Sequence, residues 1–184
     1  MSRVTYNKTD GSAATAHING VIPPDEYVDE VNDSVYTNFV ASQALKFAVL
    51  ASEALGVDCV QCSVYAQVAQ DLVILFDETL NIHPEYDGYP GNTVKQGDVV
   101  LLHYPLGMEM SADVQRADLE YYSERTDHNG PAMTWGMHAI GFLDLQDFTS
   151  AAKYFNMSFQ DNMHAPLQVW TETVSCCKVY RHFF

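Results

Sequence analysis

The chain has 184 residues, enough for one domain or a large piece of one, and its 47% apolar and 18% charged residues are a globular composition. Its 9 Lys and Arg against 24 Asp and Glu give a net charge of −15. That balance argues against nucleic acid, which needs a basic footprint, and against an anionic membrane surface. No apolar run reaches the ~18 residues of a membrane-spanning helix, and the stretch from Met1 to Lys8 lacks the apolar core of a signal peptide.

The four cysteines are Cys59, Cys62, Cys176 and Cys177. A redox C-x-x-C should follow a strand in a βαβ unit, and none is evident around Cys59 and Cys62. Adjacent Cys176 and Cys177 make a poor second half of a zinc site. The cysteines read as structural or incidental and of the reduced type, which with the missing leader points to the cytoplasm. Sequons at Asn7, Asn32 and Asn156 matter only in a secreted chain.

The first ~20 residues, polar and small with Gly11 and Gly20, predict an irregular start. Pro23 and Pro24 then place Asp25 and Glu26 on a stiff loop. Asn32-Asp-Ser34 caps a long helix that Gly56 stops. Its apolar residues, among them Phe39, Phe47, Leu50 and Leu55, wrap most of its circumference, so burial on two sides is expected. A second helix is expected at 60–73, and 75–89 reads as loop with one short hairpin at most. A helix starting in 94–104 would be stopped by Pro105. Further helices are expected at 112–125, from Pro131 to 146, and at 149–163, with 168–170 extended. Helices joined by long loops, with little strand, indicate an all-α solenoid or toroid.

No glycine-rich phosphate loop, G-x-S-x-G elbow or H-E-x-x-H occurs. Carboxylates on structured loops remain: Asp25 with Glu26, Glu85 with Asp87, and Glu172. Two carboxylates flanking a bond can serve as general acid and general base, as in glycoside hydrolysis. Among 24 acidic residues most are solvated surface, so composition alone leaves a soluble helical domain.

Five strings in chain order resemble glycoside hydrolase family 65. They are Gly20-Val-Ile-Pro-Pro-Asp-Glu-Tyr27 with 31–38, His83-Pro-Glu-Tyr-Asp-Gly-Tyr89, Val94-Lys-Gln-Gly-Asp-Val-Val-Leu-Leu102, Gly130-Pro-Ala-Met-Thr-Trp135 and Val169-Trp-Thr-Glu172. The resemblance implies a partial (α/α)6 barrel, a six-hairpin toroid, over residues 1–172. It implies an inverting hydrolase that releases glucose from an α-glucosyl disaccharide. The acid-trehalase-like branch, which acts on glycosylated hydroxylysine of collagen, is the nearest in pattern. Acid trehalases and disaccharide phosphorylases of the family are the alternatives.

By motif position Glu26 matches the general acid, an acid expected to be kept protonated by burial or by a neighbouring charge such as Asp25. Glu172 matches the general base of the hydrolases; phosphorylases use inorganic phosphate instead. Lys95 and Gln96 match residues that hydrogen-bond the glucose, and Trp135 and Tyr89 offer apolar faces to a sugar. His83 reads as a loop residue rather than a catalyst. A carbohydrate substrate is the partner implied, with no nucleic acid and no membrane, and the chemistry needs neither metal nor organic cofactor. The resemblance stops after Glu172, so 173–184 stands apart as an atypical tail. Gly97 replaces the family's usual Ala. The family's β-sandwich, early barrel helices and a Trp-Asp segment that grips glucose have no counterpart here. A truncated, non-catalytic remnant is therefore the second reading.

Overall fold

The computed structural model describes residues 4–7 and 14–174. The chain divides into two compact units. The first is Met1–Pro23, Val28–Asp77 and His83–Tyr89; the second is Pro24–Tyr27, Glu78–Ile82 and Pro90–Phe184.

The first unit opens with a hairpin where irregular chain was expected. Strands β1 (Val4–Asn7) and β2 (Thr15–Ile18) pair antiparallel, Val4 opposite Ile18 and Asn7 opposite Thr15. Four-residue strands hold too few apolar positions to stand out from the polar residues around them, and tertiary pairing decides the outcome. Ala16 is fully buried, and its carbonyl accepts from the Val73 amide at 3.0 Å.

Helix α1 (Val35–Leu55) has the expected caps. The Ser34 hydroxyl accepts from the Thr37 amide, and Gly56 ends the helix at a φ of 61°. Asn38 donates to the Asp33 carboxylate at 3.0 Å and to the Val73 carbonyl at 2.8 Å, and Ser42 donates to Ala69 O at 2.9 Å. Burial on two sides is not found. The buried residues are Val35, Asn38, Phe39 and Ser42, all within the first eight positions of the helix, while Phe47, Leu50 and Leu55 are exposed. Further along, Leu45, Ala48 and Val49 are half-buried.

Helix α2 (Cys62–Asp71) is shorter than expected at both ends. Its N-terminus has no side-chain cap, and a Cys59–Cys62 disulfide lies across the preceding turn. The turn bond from Cys62 N to Cys59 O brings the two Cα atoms to 5.4 Å, well within bridging distance. This corrects the reduced-type reading of the pair. Cys176 and Cys177 lie outside the described residues.

In the second unit the helix expected in 94–104 shrinks to one 3-10 turn, Val99–Leu101, capped by Asp98. Val94 is instead extended and bridges to Thr126, its amide donating to the Arg125 carbonyl at 2.9 Å and its carbonyl accepting the Asp127 amide at 2.8 Å. Helix α3 (Ala112–Ser123) begins at Ser111, whose hydroxyl accepts from the Val114 amide at 3.3 Å. Helix α4 (Met133–Asp144) and helix α5 (Phe148–Met157) form a hairpin turned at Gln146, which has a φ of 60°. Asp147 caps α5 and also accepts from Arg116 at 3.1 Å. Helix α5 ends six residues earlier than expected, because Met163–His164 and Val169–Trp170 form a short hairpin, β3 and β4.

The core of this unit gathers Val94, Leu102, Leu119, Tyr122, Trp135, Phe142 and Tyr154. Along the α4–α5 hairpin, Leu143, Phe148 and Phe155 are exposed around an apolar groove of about 480 Å³. No described helix is long and apolar enough to cross a membrane.

Helices α3 and α4 approach closely at Gly141, where an added Cβ would lie 2.7 and 2.9 Å from the two methyl carbons of buried Leu119. Gly141→Ala should therefore lower stability by about 1–3 kcal/mol, although alanine favours a helix by roughly 1 kcal/mol. A lower urea midpoint at unchanged slope is the expected reading.

Candidate active site

Four residues, Pro24–Tyr27, carry the expected acid, and they belong to the second unit. Asp25 is 1% exposed. Its Oδ1 accepts the amide of Lys95 at 2.7 Å and that of Tyr27 at 3.2 Å. Asp25 is thus the carboxylate that shapes the loop. The Gln96 side chain donates to the Pro24 carbonyl and draws the same two segments together.

Glu26 extends outward, 60% exposed at its side chain, and pairs with the Lys95 ammonium. Burial, the expected source of a protonated acid, is not found, because the prolines and the Asp25 anchor turn Glu26 away from the core. Contact with Glu26 holds the Lys95 ammonium above the ordinary lysine value, and the charges of Tyr27 and Glu172 add to the effect. Glu172 belongs to the same unit, its carbonyl bound by the amide of Ala132, two residues after the Gly130 that abuts the Lys95 carbonyl. The structure brings Glu26, Lys95, Gln96 and Glu172 into one neighbourhood.

Glu172 is fixed through its backbone. Its carbonyl accepts the amide of Ala132 at 2.9 Å, at the N-terminus of α4, and the Asn162 side chain at 3.2 Å. Asn162 is 3% exposed and also donates to the Thr171 carbonyl at 2.8 Å. The side chain of Glu172 remains exposed. Gly97 stands where alanine would collide: an added Cβ would lie 2.5 Å from Val100 Cγ2. Its amide donates to Thr134 Oγ1 at 3.1 Å.

Trp135 is 3% exposed and is a core ring, stacked on Tyr154 at 5.8 Å and tilted against His128 at 5.2 Å. It lines an open pocket of about 420 Å³ with Glu120, Glu124, His128, Lys153 and Tyr154. Tyr89 belongs to the first unit, edge-on to Tyr86. So does His83, which is buried against Phe76. Glu85 is fully buried there and its carbonyl accepts the Val35 amide at 3.0 Å. Among the described residues no group of three or more His, Cys, Asp or Glu could hold a metal ion.

Sequence reasoning missed Tyr27 and Asp127. The Tyr27 hydroxyl donates to Asp127 Oδ2 at 2.6 Å across 100 residues of sequence. This bond lifts the Tyr27 phenol above its ordinary value and holds the Asp127 carboxyl below its own. The sequence signal was the turn Asp127-His-Asn-Gly130, in which Asp127 Oδ1 accepts the Asn129 amide at 2.8 Å.

Residues 1–93 match the glycosyl hydrolase family 65 central catalytic domain. The chain belongs to glycoside hydrolase family 65. It is 48% identical over 174 residues to a protein-glucosylgalactosylhydroxylysine glucosidase of Danio rerio, a match covering 94% of this chain and 26% of that protein. It is 40% identical over 173 residues to a protein of the same description from Dictyostelium discoideum, covering 94% and 24%. The chain thus spans about a quarter of the length of these relatives. A solved structure described as a kojibiose phosphorylase from human microbiome superposes with a TM-score of 0.68 at 21% identity, covering 84% of this chain and 28% of that one. The likeness is one of fold, and the described helices are part of the family 65 (α/α)6 barrel.

Beneath this site lies a buried histidine. His138 of α4 is fully buried against Trp135 and Tyr154, and among the described residues neither ring nitrogen has a hydrogen-bond partner. Burial, with the nearby Lys153 charge, pushes it down from 6.5 to about 3. Between those values the unfolded chain takes up a proton that the folded chain refuses. Stability is therefore full above pH 6.5 and falls as the pH drops towards 3, by about 5 kcal/mol at most. His138→Phe should flatten that part of the stability–pH curve, measured by urea unfolding at pH 7, 5 and 4.

Proposed function

We propose that the chain is a segment of an inverting α-glucosidase that releases glucose from an α-glucosyl disaccharide, the glucosyl-galactose unit of hydroxylysine being the favoured substrate. In this reading residues 1–172 are part of one catalytic barrel and 173–184 are a tail. The carrying observation is the grouping of Glu26, Lys95 and Glu172 on neighbouring loops of one compact unit. The 48% identity over nearly the whole chain to a protein-glucosylgalactosylhydroxylysine glucosidase supports the choice of substrate.

Glu26 delivers a proton to the glycosidic oxygen as the bond to the glucose C1 breaks. Glu172 takes a proton from the water that attacks C1 from the opposite face, so the glucose leaves with inverted configuration. Lys95 lies on Glu26, so an incoming glucose has to draw the ammonium onto its own hydroxyls before Glu26 acts. Gln96 offers a second donor and acceptor beside it. Of the aromatic candidates, Trp135 enters this reading as a supporting core ring, and Tyr89 as a ring whose apolar face suits a sugar.

Glu26→Gln and Glu172→Gln should each abolish glucose release from the glucosyl-galactose disaccharide while leaving the fold intact by circular dichroism. A full-rate variant at either position sinks that assignment. Formation of glucose 1-phosphate that depends on added phosphate would indicate a phosphorylase, and faster turnover of trehalose an acid trehalase.

A non-catalytic remnant is the second reading, favoured by the exposed Phe47, Leu50, Phe148 and Phe155. Cooperative unfolding together with glucose release by the 184-residue chain removes it.

The cytoplasmic location stays a proposal, weighed against the Cys59–Cys62 disulfide, a kind of bond that persists in oxidising compartments. Alkylation of the protein straight from cells tests it. Unlabelled Cys59 and Cys62 would place the protein outside the cytoplasm.

A further inference from the structure

We propose that Asp127 is a positioning residue for Glu26: by accepting the Tyr27 hydroxyl it fixes the residue that follows the acid and keeps the Glu26 carboxyl on Lys95. The inference rests on the hydrolase reading of Glu26.

Glu26 cannot aim itself. Its side chain is 60% exposed, and its ion pair with Lys95 joins two long and flexible side chains. Its direction has to come from the backbone on either side. Before Glu26, the chain is held at Pro24 O by Gln96 and at Asp25 by the Lys95 amide. After Glu26, the side-chain anchor is the Tyr27 hydroxyl on Asp127 at 2.6 Å. The Tyr27 ring is 52% exposed, so packing does not substitute for that bond.

Asp127 is itself a firm anchor. Its amide donates to the Val94 carbonyl at 2.8 Å, and its own carbonyl accepts the Gly130 amide at 3.0 Å. Its Oδ1 accepts the Asn129 amide at 2.8 Å, leaving Oδ2 for Tyr27. The same turn abuts Lys95, since a Cβ on Gly130 would lie 2.2 Å from the Lys95 carbonyl oxygen. One turn therefore sets the position of both members of the Glu26–Lys95 pair. The bond joins a neutral phenol to a carboxylate and is of the stronger, charge-assisted kind. The opposite directions in which Tyr27 and Asp127 are pushed keep both in the states it needs through the neutral range.

The test uses the 184-residue chain with Tyr27→Phe, Asp127→Asn and Asp127→Ala. Asn keeps an acceptor for the hydroxyl; Ala does not. Two readouts are taken: kcat and KM for glucose release from the glucosyl-galactose disaccharide, and the titration of the Lys95 ammonium by NMR of labelled lysine. A displaced Glu26 lowers kcat by ~10–100-fold, because a small misplacement of an acid is costly in rate, and leaves KM within about threefold. That loss is expected for Tyr27→Phe and Asp127→Ala, with Asp127→Asn retaining most of the rate. Asp127→Ala, which leaves Tyr27 in place, should also bring the Lys95 titration down towards the ordinary lysine value, further than Asp127→Asn does.

Wild-type kcat in Tyr27→Phe together with a Lys95 titration equal in Asp127→Ala and Asp127→Asn overturns the proposal. So does Asp127→Asn falling as far as Asp127→Ala in kcat while Tyr27→Phe is unaffected, since Asp127 would then act only through its own turn. If the unaltered chain releases no glucose, the hydrolase reading fails for this chain. The Lys95 titration then decides the lock alone: a larger fall in Asp127→Ala than in Asp127→Asn upholds it, and no difference overturns it.

Discussion

The site depends on one buried carboxylate that takes no part in the chemistry proposed for it. Asp25 accepts the backbone amides of Tyr27 and Lys95 with a single oxygen, and so joins two loops that lie 70 residues apart in sequence. At 1% exposure it sits where an unmet carboxylate would be costly, and the two amides are where those loops would otherwise leave donors without partners. The geometry of acceptor and donors determines where Glu26 leaves the backbone. An acid next to a buried anchor can be exposed and still held in place, and this explains why the more promising residue of the Asp-Glu pair is the exposed one.

Glu172 is placed by a different device with the same logic. A helix N-terminus presents amides that need acceptors, and α4, whose first residues lack a side-chain cap, takes the Glu172 carbonyl at 2.9 Å instead. Asn162 closes the arrangement from the other side. The backbone of Glu172 is thereby tied to α4, and α4 is rigid because Trp135, His138 and Phe142 along it pack against Tyr154 of α5. His138 remains neutral in that stack, at a cost in acid, so the packing of α4 on α5 weakens as the pH falls.

What the sequence made legible follows the range of the forces involved. The caps of α1, from Ser34 to Gly56, are local hydrogen bonds and a local φ, and they stand where the residues place them. Helices α3 and α4 likewise begin and end within two residues of expectation. The β1–β2 hairpin and the extended Val94 were missed, because each is decided by a partner strand rather than by its own residues. The same division holds in the site. Glu26, Lys95 and Glu172 were singled out through family strings, whereas Tyr27 and Asp127 meet across 100 residues and carry no local signature beyond an Asx turn. The family string that contains Trp135 did not reveal its burial: the ring is 3% exposed and stacks on Tyr154.

The exposed apolar faces and the finished loops belong to different levels of the same design. Helix α1 is apolar around its circumference but has its buried residues within its first eight positions, and the groove along α4 and α5 is lined by Phe148 and Phe155. The loops that hold Glu26, Lys95 and Glu172 are closed by bonds within this chain. The positions proposed for the acid, its lysine and the base can therefore be pre-set by local hydrogen bonds. Substrate affinity cannot, because a glucose pocket needs walls on all sides and the hydroxyl contacts that orient the scissile bond. On these physical grounds, loss of barrel helices should remove binding before it disturbs the geometry of the catalytic groups.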